Sequence, residues 1–184
     1  MSHLRVPVTN ADHIQGPASA PLTFVEYGDY QCPFCGAAYP QVKKLQAQLG
    51  DDLRYVFRNF PLTQVHEFAM LGALAAEAAD RQEKFWEMHD LLYENQERLG
   101  PDLVFELAQA LKLDLERFQS DLNSDELATR IRNDFMGGVR SGVNGTPSYF
   151  LNDRKYEGAL DADVFKELAG RMERERRPEA PPPP

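Results

Sequence analysis

The chain's only two cysteines are separated by two residues, in Cys32-Pro33-Phe34-Cys35. A thiolate at the first could attack a disulfide, and a second thiol one helical turn on could resolve the mixed disulfide that forms. Cys32 falls at the predicted N-cap of a helix, where backbone N–H groups and the helix dipole favour a thiolate. Pro33 stands at the first helical position, where a missing N–H costs nothing. Cys32 is expected to be the exposed, reactive thiol, because Cys35 points back under the turn. A disulfide here would be a poor structural staple, since closing a two-residue gap barely restricts the unfolded chain. The pair could also be half of a zinc site, which needs four ligands. Only His3, His13, His66 and His89 could complete one, and none is close in sequence, with His66 and His89 on different predicted helices. Redox chemistry is therefore the favoured reading, and no metal is expected.

Two further features fit that chemistry. Glu26 lies six residues before Cys32 in an apolar stretch. By strand alternation it shares a face with Leu22 and Phe24, so it should be at least partly buried. A buried carboxylate needs a partner or a raised pKa. Glu26 is then either a carboxylate satisfied by a local donor or a proton acceptor for Cys35. Thr146-Pro147 follows the loop Gly142-Val143-Asn144-Gly145, with Pro147 leading into a strand, where a missing donor is tolerated. The pattern marks a turn there; it does not specify a cis bond.

These residues need a scaffold. Leu22–Tyr27 reads as a strand, Cys35 onward as a helix with Ala38, Val42, Leu45 and Leu49 at helical spacing, and Leu53–Arg58 as a second strand. Strand, helix and strand in about forty residues make a βαβ unit with parallel strands. Helices are then predicted over about His66–Asp80, Gln82–Tyr93, Pro101–Leu111, Leu115–Leu122 and Asp125–Val139, with no strand among them. Ser148–Leu151 and Arg154–Tyr156 flank Asn152-Asp153 as a hairpin, although the turn lacks the preferred glycine. Asp161 caps a last helix through about Arg177. The tail 178–184, with four terminal prolines, is expected to be disordered.

The 184 residues suit one domain, or one with a sizeable insertion. The net charge of −9 disfavours nucleic acid or an anionic membrane as partner. Residues 62–135 hold sixteen acidic and seven basic residues, so this block accounts for the whole net charge. Its acidic face reads as a solvated one. The longest apolar run, about Ala69–Ala76, is too short to span a bilayer. No apolar leader occurs in the first twenty residues, which points to the cytoplasm.

Taken together, the chain resembles DsbA-like members of the thioredoxin superfamily. The stretch from Ala20 through Glu26 to Cys35 is similar to the family's active-site segment, and Glu26 falls where the family has its buried acid. Pro40 falls where thioredoxin-like proteins kink the active-site helix, and Gly145-Thr146-Pro147 where they carry a cis-proline loop facing the cysteines. The similarity runs from about Asp12 to Gly170. It implies an α/β thioredoxin fold with an inserted α-helical domain, the core being 1–61 and 136–177 and the insertion 62–135. It further implies that Pro147 is cis and that the Thr146 backbone pairs with an extended substrate segment lying across Cys32. The implied activity is thiol–disulfide exchange with protein substrates, with glutathione as a further exchange partner and no cofactor beyond the redox pair. Phe34 departs from the oxidase that names the family, which has His there. A phenyl ring cannot donate to a thiolate, so a less oxidising pair is expected. The alternatives are a non-catalytic binding module using the same groove, and a glutathione-dependent isomerase or transferase.

Overall fold

Two apolar segments, Leu22–Gly28 and Leu53–Asn59, form the paired centre of a five-stranded sheet. The computed structural model describes residues 2–176, so the proline tail and the predicted helix end at Arg177 lie outside the described residues. In chain order the strands are β1 (His13–Gln15), β2 (Leu22–Gly28), β3 (Leu53–Asn59), β4 (Ser148–Leu151) and β5 (Arg154–Tyr156), arranged β1-β3-β2-β4-β5. β2 and β3 are parallel, as the βαβ reading requires, and the other pairs are antiparallel. The edge strand β1 was not foreseen. With Ile14 its only aliphatic residue, its three residues carry no periodic signal.

The pleat divides β2 between two cores. Leu22 and Phe24 face a core that includes Val42 and Leu45 of helix α1 (Pro33–Leu49) and Phe165 of α7 (Ala162–Arg176). Val25 and Tyr27 face a second, smaller core with Val56, Phe60, Val143 and Phe150. Between β3 and β4 the chain passes through five helices: α2 (Ala69–Asp80), α3 (Phe85–Glu94), α4 (Pro101–Ala110), α5 (Leu115–Leu122) and α6 (Asp125–Arg140). α2 begins three residues later than the sequence suggests, leaving His66 in a loop. α6 runs unbroken through Phe135 and Met136, and the Phe135 ring stacks on Phe60 with centroids 4.2 Å apart.

The hairpin turn solves its missing glycine by strain. Asn152 and Asp153 both take positive φ, 44° and 72°, the geometry of a two-residue hairpin that disfavours side chains. Asn152 is compensated, because its Oδ1 accepts from the Thr23 N–H at 2.7 Å. Asp153 contributes its carbonyl, which accepts from the Leu4 N–H at 2.8 Å. Asp153→Gly should therefore stabilise the protein by about 0.5–1 kcal/mol, measured by urea denaturation. The same change at Asn152 should gain less, since it deletes the side-chain bond to Thr23.

Candidate active site

The turn joining β2 to α1 carries the two cysteines, and its shape is set by Asp29. The Asp29 carboxylate is buried and accepts from the Gln31 N–H at 2.8 Å and the Leu62 N–H at 2.9 Å, while His66 Nδ1 lies 2.8 Å away. Its carbonyl accepts from the Cys32 N–H at 3.1 Å. The chain thus closes on itself just before the helix, and Cys32 becomes the N-cap with extended backbone and Pro33 at the first turn. Helical residues hold the turn from the other side. Gln96 Nε2 donates to the Tyr30 carbonyl at 2.9 Å and the Cys32 carbonyl at 2.8 Å, and Gln31 Oε1 accepts from the Phe68 N–H at 2.6 Å. Gly36 makes room for this clamp: a Cβ there would lie 2.2 Å from Gln96 Oε1.

The predicted site residues converge. Cys32 Sγ lies 3.4 Å from the Thr146 carbonyl, to which its thiol donates, and the Thr146–Pro147 bond is cis. The expectation that Cys32 stands exposed is corrected. The residue is only 3% exposed, because its sulfur sits against this loop, and Phe34 beside it carries the exposure instead, at 75%. Cys35 is fully buried. Glu26 is 3% exposed and accepts from the Tyr55 hydroxyl at 2.7 Å. It has the local donor that a buried carboxyl needs, and it also lies close enough to influence the thiols.

Three acids in one site are driven apart by their surroundings. A hydrogen bond from the Cys35 thiol is the largest influence lowering Cys32. The N–H groups of Cys35 and Phe34 add to it, and the sum outweighs burial and brings Cys32 down to about 5. Burial pushes the Cys35 thiol well above the ordinary range, and its bond to Cys32 and the Glu26 charge raise it further. Burial raises Glu26 to about 7, Tyr55 pulls it back in part, and the Cys32 charge adds a smaller push upward. Near neutral pH this arrangement offers a nucleophilic thiolate, a protonated second thiol and a carboxyl poised to exchange a proton.

The histidines have other partners. Of the three inner ones, His66 pairs with Asp29, His13 Nε2 lies 2.9 Å from Glu77, and His89, which burial pushes down to about 3 and keeps neutral, shares a 2.9 Å hydrogen bond with the Tyr30 hydroxyl. A cavity of about 510 Å³ lies against Tyr27 and Arg58 and is lined by neither cysteine.

A sheet of this order, with a Cys-x-x-C pair at a helix start facing a cis-proline loop and a helical unit between β3 and β4, defines a DsbA-like thioredoxin fold. Residues 8–169 match the family model described as Thioredoxin, and the chain belongs to that family. Solved structures agree. The chain is similar to a thioredoxin-like oxidoreductase from Silicibacter pomeroyi (TM-score 0.75, 26% identity, 92% of this chain and 95% of that one). It is also similar to BdbD from Bacillus subtilis in its oxidised form (TM-score 0.79, 25% identity, 92% and 97%). The thiol-disulfide exchange protein alpha-DsbA2 from Wolbachia pipientis shares the fold at 21% identity, with a TM-score of 0.76 over 89% of this chain and 88% of that one. The curated relatives carry a different name. A Na(+)/H(+) antiporter NhaA 1 of Salinispora arenicola is 46% identical over 179 residues, 94% of this chain and 27% of that protein. An NhaA 3 of Salinispora tropica is 45% identical over 172 residues, 90% and 26%. The chain spans about a quarter of the length of these relatives. Among the described residues no helix is long and apolar enough to cross a membrane.

Sequence reasoning missed Asp29, Gln96, Tyr55, Tyr93 and Tyr149, and weighed His66 only as a zinc ligand. Asp29, just after a strand and three residues before Cys32, carries a readable turn signal; the others depend on tertiary placement.

Two pH effects follow. Iodoacetamide alkylation of Cys32 should titrate with a midpoint of about 5 and be flat above about pH 6.5. A midpoint in the ordinary thiol range would contradict the electrostatics. For Glu26 the sign is opposite to that of a salt-bridged acid. The unfolded carboxyl loses its proton near the ordinary 4.5 and the folded one near 7, so stability falls as pH rises through that window, by about 3 kcal/mol. Glu26→Gln should remove this contribution and leave the smaller fall below about pH 6 that Asp134, raised by burial to about 6, adds on its own. Urea denaturation of the oxidised protein, in which Cys32 does not titrate, at about pH 5 and about pH 8 checks it.

Proposed function

We propose that the protein is a thiol–disulfide oxidoreductase that exchanges a dithiol–disulfide pair with protein substrates through Cys32 and Cys35. The observation that carries this reading is the favoured Cys32 thiolate at a helix start, next to a buried second thiol and beside the cis Thr146–Pro147 loop. In the reducing direction the Cys32 thiolate attacks a substrate disulfide and releases one substrate thiolate. Cys35 gives its proton to Glu26 and attacks Cys32, forming the Cys32–Cys35 disulfide and expelling the second substrate sulfur. The oxidising direction runs the same steps backward. Pro33 and Phe34 complete the motif, and Thr146 with Pro147 holds an extended substrate segment by main-chain bonds. Glutathione serves as a small exchange partner, and the pair itself is the only redox group needed. We place the exchange in the cytoplasm, whose reducing poise would keep both cysteines as thiols between turnovers.

The relatives named as antiporters favour a second reading of its context, in which the substrate is a membrane transporter with accessible cysteines. One experiment addresses both. Cys32→Ser should abolish insulin reduction and glutathione exchange, while Cys35→Ser should accumulate mixed disulfides through Cys32. Trapped partners in the membrane fraction would support the transporter reading, and trapped soluble proteins the general one. Full activity in Cys32→Ser would refute the mechanism. Glu26→Gln should slow resolution by about tenfold or more near neutral pH while leaving the first attack intact.

A further inference from the structure

Two phenol groups beside the site take no part in the exchange as described. The Tyr93 and Tyr149 hydroxyl oxygens are buried, and neither has a hydrogen-bond partner among the described residues. Burying an unpaired hydroxyl costs stability, so two in one core call for a cause. Both belong to the core that buries Cys35, on the sheet face that carries Glu26. Tyr149 stands directly across from Glu26 in the β2–β4 register, so the two side chains leave the sheet on one face. The Tyr149 ring stacks on Phe24 of that face with centroids 5.0 Å apart. Tyr93 arrives from α3, 7% exposed, and its oxygen reaches over the next position on the same face, where a Cβ on Gly28 would lie 3.0 Å from it. After burial, the Cys35 and Glu26 charges act most strongly on Tyr93, and those of Glu26, Cys35 and Cys32 on Tyr149. Both phenols are held far above the ordinary range, as neutral donors. The other groups facing this pocket are Tyr55, which already donates to Glu26, and Tyr30, which is bonded to His89.

We propose that the Tyr93 and Tyr149 hydroxyls donate hydrogen bonds to the Cys35 sulfur when it becomes a thiolate, stabilising the species through which both directions of exchange pass. The proposal rests on the oxidoreductase reading. When Cys35 loses its proton to Glu26, two negative groups share a dry pocket. Neutral donors are the partners that help without adding charge. While Cys35 is a thiol they have little to bond, which accounts for their unpaired state. They become useful as donors when the charge develops beside them. The step stays balanced: the Cys35 proton moves to Glu26, and the Cys35 sulfur bonds Cys32. The bond from Cys32 to the substrate sulfur breaks, and that sulfur leaves as a thiolate protonated by water.

The test uses the reduced full chain mixed with one equivalent of dithionitrobenzoate. The first release of thionitrobenzoate reports attack by Cys32, and the second reports resolution by Cys35. Tyr93→Phe and Tyr149→Phe should each slow the second release by about tenfold and move its pH midpoint upward. The first release should be unchanged, and the melting temperature unchanged or higher, because an unpaired hydroxyl is removed. A second release and midpoint identical to wild type in the double variant would overturn the inference and leave the oxidoreductase reading standing. Slower release with an unmoved midpoint would also overturn it, pointing to lost packing. A wild-type chain that gives the first release and never the second would instead sink the reading itself.

Discussion

Water cannot reach the middle of the sheet face beneath α1, and that exclusion governs the site. A carboxyl there is costly to ionise, and so is a thiol. The same cost falls far less on Cys32, at the helix start, where N–H groups point at its sulfur. One structural gradient, from the helix start down into the core, therefore spreads three acids across a wide range: Cys32 at about 5, Glu26 at about 7 and Cys35 well above the ordinary thiol value. The spread comes from where β2 ends and α1 begins, with Glu26 six residues before Cys32 and Cys35 one turn after it.

A gradient of this kind works only if the turn is rigid, and its rigidity is shared between the sheet and the helical unit. Asp29 gathers bonds from Gln31, Leu62 and His66, so the turn is tied to the loop leaving β3. Gln96, between α3 and α4, clamps the carbonyls of Tyr30 and Cys32. The Tyr30 carbonyl gains its partner, and the Cys32 carbonyl, which already accepts from the Gly36 N–H, gains a second one, from a side chain that Gly36 leaves room for. The helical unit is consequently more than a cover over the core. It supplies one side of the site's frame, and Tyr93 enters the cysteine pocket from it as well.

The scaffold was legible because its signals are local. Alternation in Leu22–Tyr27, helical spacing from Ala38 to Leu49 and the paired strands around Asn152-Asp153 each sit within one window, and each element stands where its pattern places it. The cysteine pair and Glu26 were legible for a chemical reason: a Cys-x-x-C at a helix start and a carboxyl in an apolar strand are both unusual enough to need a function. What escaped depends on contact. β1 is too short for a period, and His66 fell inside a helical pattern that begins only at Ala69. Gln96 looks like any surface polar residue, and nothing local joins it to Cys32 across 64 positions. Tyr93 and Tyr149 read as ordinary core aromatics, because a phenol's unpaired oxygen is a property of the packed state. The exposure of Cys32 was misjudged for the same reason, since the loop that covers it comes 114 residues later.

Phe34 shows how a motif's middle residue and its backbone divide the work. A phenyl ring donates nothing to a thiolate, and from the motif alone a weakly stabilised Cys32 is expected. The donors come instead from the Cys35 thiol and the N–H groups of Cys35 and Phe34, available whatever side chain occupies position 34. A thiolate with a pKa of about 5 stabilises the reduced pair at pH 7, relative to an ordinary thiol, by about 3 kcal/mol, or roughly 60 mV in the oxidising direction. Phe34, 75% exposed, is left as an apolar surface beside the motif, and the tuning of the sulfur falls to the backbone and to Cys35.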